Sequence, residues 1–67
     1  MPTFTIATDS ATMTITAATA DKAAEQFAKS EGWRGVESVE AWEAYLERVG
    51  GHGHIAQDGV DLARVSG

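Results

Sequence analysis

Apolar and polar positions alternate with a period of two at both ends of the chain and recur with a helical period in its middle. Residues 3–8 read Thr-Phe-Thr-Ile-Ala-Thr and residues 12–17 read Thr-Met-Thr-Ile-Thr-Ala. Both are strand patterns in residues that suit a pleated, half-buried surface, with Phe4 and Ile6 on one face and Met13 and Ile15 on the matching face. Asp9-Ser10-Ala11 between them is short and polar enough for a hairpin turn. Thr3, Thr5, Thr14 and Thr16 occupy the other face. Threonine is the common polar residue on the wet side of a strand, although a flat threonine array also suits ice or an added strand.

The period then changes. Thr19 is a candidate N-cap, with Asp21 in the first turn where the helix dipole favours an anion. The helix it starts is expected over residues 20–30, with Ala20, Ala23, Ala24, Phe27 and Ala28 as its apolar face and Glu25–Lys29 as an i,i+4 pair. Gly32 suits a C-cap, and Trp33 is expected to fold back over Phe27; an exposed binding role for Trp33 beside Arg34 is the alternative. A second helix is expected within residues 37–49, capped by Ser38 and stopped by Gly50-Gly51. At about 100° per residue, Val39, Trp42, Leu46 and Val49 share one face with Tyr45 at its margin, and Glu40, Glu43 and Glu47 form a narrower stripe beside it. Asp58-Gly59 is the clearest turn signal and separates two short strands, residues 54–57 and 60–65.

These elements give an α+β domain in the order β-β-α-α-β-β, a small antiparallel sheet with two helices on one face. The expected core is Phe4, Ile6, Met13, Ile15, Ala24, Phe27, Trp33, Val39, Trp42, Leu46, Val49, Ile55, Val60 and Leu62. At 67 residues one domain is expected, with a stability of roughly 3–10 kcal/mol. Ten acidic residues against five basic ones give a net charge of −5. That balance opposes direct binding to nucleic acid or anionic lipid and favours solubility or a basic protein partner. No cysteine is present, which excludes disulfide and thiolate chemistry and fits a reducing compartment. Neither a signal peptide nor a membrane span is legible, so a cytoplasmic protein is expected.

His52-Gly53-His54 is the one constellation that resembles a chemical site. With Asp58 or Asp61 it would supply three metal ligands. In an extended strand, however, i and i+2 side chains stand some 6–7 Å apart, and a solvated glycine-rich turn is the simpler reading. No metal or cofactor is therefore expected. No serine sits in a nucleophile elbow, and no glycine loop with a lysine precedes a helix. The chain reads as a non-enzyme.

Glu37, Glu40, Glu43 and Glu47 remain, with Arg48 as the only local counter-charge. Charge runs on helices are usually solvated faces. The alternative is a binding row: carboxylates at such spacings rise about 4.5–6 Å per step, comparable with phosphates along a DNA strand, and would engage arginines and lysines that hold nucleic acid. Asp58 and Asp61 would extend the row if the last hairpin lies beside this helix.

The threonine-rich hairpin, the Thr-Ala-Asp-Lys-Ala-Ala-Glu-Gln-Phe-Ala run from Thr19 and the following Glu31-Gly32-Trp33, in so small, acidic and cysteine-free a chain, resemble the small phage-encoded inhibitors called anti-CRISPR proteins. Those proteins share architecture and charge but no common motif, so no residue role transfers. The resemblance implies an inhibitor in the host cytoplasm that binds a CRISPR effector complex and blocks DNA access, in some cases as a DNA mimic. A monomer or small homo-oligomer is expected. Its competitors are an antitoxin-like structural or oligomer-forming module, held together through the threonine face or Trp33, and a histidine-based metal-binding protein.

Overall fold

The computed structural model describes residues 1–66. Its elements run β1 (Thr3–Thr8), β2 (Thr12–Thr16), α1 (Ala20–Glu31), α2 (Val39–Val49), β3 (Gly53–Gln57) and β4 (Val60–Val65). The helices begin and end where local chemistry directs. Thr19 and Ser38 are N-caps whose hydroxyls accept from the amides of Lys22 and Ala41, and Gly32 and Gly50 close the C-termini in the left-handed conformation that a side chain disfavours. The β3–β4 hairpin turns on Asp58 and Gly59, both at positive φ (53° and 80°), as a tight primed turn requires.

The four strands form one antiparallel sheet in the order β2-β1-β3-β4, with the last hairpin docked against β1 rather than β2. Phe4, Ile6, Ile55, Ala63 and Val65 line the covered face, and α1 and α2 close it with Ala23, Ala24, Phe27, Ala28, Trp42 and Leu46. α1 lies over β1 and β2, and α2 lies beside α1 and over β4. The alanines of α1 let that helix lie close to the sheet, and the large side chains Phe4, Phe27 and Trp42 are all buried in one core cluster. The opposite face of the sheet is open, and Thr3, Thr5, Thr12, Thr14 and Thr16 are exposed on it, with the hydroxyls of the opposed pair Thr3 and Thr16 3.2 Å apart.

The core differs from the expected one at β4. Val60 and Leu62 are exposed (62% and 46%), and Ala63 and Val65 are buried instead. For Leu62 the cause is a bulge: the β3–β4 register slips between Ile55 and Ala56, so that Ala63 faces Ile55 and Asp61 faces Ala56, leaving Leu62 as the extra residue. Val60, opposite Gln57 and in line with Phe4, keeps the helix side of the sheet but is exposed beside the turn at the end of the edge strand. Val49 belongs to the apolar arc of α2 but lies in its last turn and is 57% exposed. Met13, Ile15, Trp33 and Val39 pack against the core only partly buried. Ala17 and Val36 supply burial that the expected core lacked, and Ala23 and Ala28, expected on the apolar face of α1, join Ala24 in it. Trp33 does fold back on Phe27, edge to face at 5.4 Å between ring centroids, and also stacks on Tyr45 at 4.3 Å. Glu25 pairs with Lys22 at 3.6 Å rather than with Lys29.

Candidate functional site

α2 is fixed by Trp42 and Leu46, which are buried in the core, and so presents its remaining faces in a set orientation. Glu40 and Glu47 are exposed and Glu43 is half-buried. No ion pair within 4 Å engages any of the three among the described residues, where the pairs found are Lys22–Glu25, His52–Asp9 and Arg64–Asp61. Arg48, the expected counter-charge, lies instead over the ring of Tyr45, 5.5 Å from its centroid. Phe27, Trp33, Tyr45 and Arg48 thereby form one chain of contacts from the core to the surface, edge to face, stacked and cation–π in turn. Glu40–Glu43 and Glu43–Glu47 are like-charge neighbours at i,i+3 and i,i+4, each costing roughly 0.2–0.5 kcal/mol of helix stability. The two pairs that share Glu43 therefore oppose the helix, while Glu40 in the first turn is favoured by its dipole.

Glu37 is exposed but precedes the N-cap, so it lies in the loop before α2 rather than on the helix. Asp21 joins the same end. Its carboxylate crosses from the first turn of α1 to accept the amide of Val39 at 2.9 Å, placing a negative charge at the positive end of the α2 dipole. Sequence periodicity assigns Asp21 to its own helix only; the contact with α2 depends on how the helices pack.

The two tail aspartates do not continue the row. Asp58 forms the tip of the last hairpin, at the far end of β3 from the α2–β3 connection. Asp61 is opposite Ala56, so it stands on the open face of the sheet, away from the helices. It is also occupied: Arg64 donates to Asp61 Oδ2 from Nη2 at 2.6 Å and from Nε at 3.2 Å. That hydrogen bond, helped by the charges of Arg64 and His54 and opposed by desolvation, holds the Asp61 carboxyl below its ordinary value of 3.8. The pair is present at neutral pH and is lost as pH falls from 3.8 through the lower folded value.

His52-Gly53-His54 is not a free turn. Gly53 opens β3 opposite Thr8, so close that an added Cβ would meet the Ala7 carbonyl oxygen at 2.5 Å. His54 stands on the open face between Ala7 and Arg64, and His52 Nδ1 lies 3.9 Å from Asp9 Oδ2. The histidines line an open groove of about 300 Å³ with Gly53, Arg64, Val65 and Ser66. Among the described residues no three histidine, aspartate or glutamate side chains gather closely enough to hold a metal ion. No described helix is long and apolar enough to cross a membrane. No family model matches the chain, and the comparisons with curated proteins and with solved structures likewise give no match.

Proposed function

We propose that the chain is a small non-enzymatic inhibitor that docks the acidic side of α2 on a basic protein surface normally reserved for nucleic acid. The observation that carries this reading is the row Glu40-Glu43-Glu47: three carboxylates on one rigid helix, none in an ion pair among the described residues, with Glu37 and Asp21 toward its N-terminal end. A row of unpaired carboxylates offers arginines and lysines the charge-assisted contacts they otherwise make to phosphates. The net charge of −5 steers such a partner toward the molecule from a distance.

The named form of this reading is an anti-CRISPR protein acting in the host cytoplasm, where occupation of the DNA channel of an effector complex blocks target access. The test is capture from a host lysate with wild-type chain and with the triple variant Glu40→Lys, Glu43→Lys, Glu47→Lys, followed by mass spectrometry. The wild type is expected to retain a basic nucleoprotein complex in a salt-sensitive manner, and the triple variant to release it while keeping the wild-type circular dichroism spectrum. Equal capture by both chains removes α2 from the interface.

A further inference from the structure

The sheet has two open edges, and only one carries the devices that keep edges apart. β4 is interrupted by its bulge and bears the charged pair Asp61 and Arg64, both of which discourage an added strand. β2 has neither. Its five residues, Thr-Met-Thr-Ile-Thr, keep an unbroken register with β1, and no residue from Ser10 to Ala20 is charged or proline.

The hydrogen-bond phase of β1 and β2 defines what this edge offers. Thr8 donates to the carbonyl of Ala11 at 2.7 Å and Ala17 to that of Pro2 at 3.1 Å. Bonded pairs recur at every second residue of an antiparallel ladder, so Phe4–Ile15 and Ile6–Met13 are the bonded pairs between these ends. The N–H and C=O groups of Thr12, Thr14 and Thr16 consequently point away from β1, to the unpaired side.

We propose that β2 is a homodimer edge, on which a second copy of this chain adds its own β2 antiparallel about a two-fold axis at Thr14. The strand is self-complementary in that register. Thr14 meets its counterpart and Thr12 meets Thr16, so every outward N–H and C=O finds a partner. On the helix side Met13 meets Ile15, which covers the part of both that α1 leaves exposed. On α1, Gln26 and Ser30 lie about 140–180° around the helix from Asp21, which reaches toward α2. The flank that faces the second copy is thus exposed and uncharged. Two molecules of charge −5 meet here without placing like charges in contact. α2 lies at the other side of the sheet, over β4, so pairing leaves both acidic rows free.

A five-residue strand pair with a helix flank is a small interface, so the association is concentration-dependent. Sedimentation equilibrium from about 1 μM to about 1 mM, the range of weak dissociation constants, tests it. The wild-type mass is expected to rise from 7.1 kDa toward twice that value. Thr14→Lys and Thr14→Glu, each placing like charges across the axis on the exposed face, are each expected to stay at the single-chain mass with unchanged near-ultraviolet tryptophan dichroism. An equimolar mixture of the two is expected to recover the doubled mass. Leu62→Lys, on the other edge, is expected to leave the dimer intact. A wild type that remains at 7.1 kDa throughout, a Thr14→Lys chain that still doubles, or a dimer lost with Leu62→Lys and kept with Thr14→Lys overturns the proposal. None of these readouts requires the inhibited partner.

Discussion

Trp42 is fully buried, with its indole N–H unpaired among the described residues. Such an orphan costs about 1–3 kcal/mol, which the burial of so large a ring offsets. Two substitutions separate these effects. Trp42→Ala removes the ring and leaves a cavity, at a cost of about 3–5 kcal/mol. In a domain of this size that is a large share of roughly 3–10 kcal/mol, so chemical denaturation should find the variant mostly unfolded or close to it. Trp42→Phe keeps most of the volume and discards the orphan donor, and is expected to lose less than half as much. Residues whose role is set by near neighbours in sequence were legible: Ser38, Thr19, Gly32 and Gly50 cap helices because capping needs only the adjoining turn. Val36 was not, because it is buried from a loop between helices and no periodicity marks it.

At the scale of elements, α2 combines a secure apolar face with a charged one whose two like-charge pairs oppose the helix. Glu43→Lys replaces two like-charge contacts by two opposite-charge ones, and each contact, repulsive or attractive, is worth roughly 0.2–0.5 kcal/mol. With repulsion removed and attraction gained in both pairs, the variant is expected to be about 0.8–2 kcal/mol more stable by denaturant titration and to bind the partner more weakly. A stabilised variant with undiminished binding would identify the row as a solvated face. The order of the elements was readable from the change of period, since alternation and helical recurrence occupy different stretches of the chain. The inward face of β4 was not. Val60 and Leu62 share one parity and Ala63 and Val65 the other, and a bulge that depends on pairing with β3 switches the inward parity between them, so that Ala63 and Val65 face the helices and Leu62 does not. Asp61, on the turn side of the slip and opposite Ala56, stands on the open face in either register; what the slip does is bring Arg64 to the same face, opposite His54.

The whole molecule is a two-layer sandwich of unlike halves: a sheet with one open, threonine-rich face, and two helices whose outer side carries the acidic row. Sequence patterning gave the layers because one face of each element is apolar. The docking of β3 on β1 is non-local, and it is what puts α2 over β4, far from the uncharged β2 edge. In the proposed function the charge of −5 steers a basic partner at long range and the row on α2 sets where it is held. Competition for target DNA on purified CRISPR effector complexes loaded with guide RNA, followed by gel mobility, tests this most directly. Wild-type chain is expected to displace target DNA from a susceptible complex, and the Glu40→Lys, Glu43→Lys, Glu47→Lys chain to lose at least tenfold in potency while remaining folded. Equal displacement by the two chains, or none by the wild type from any complex, would contradict the account.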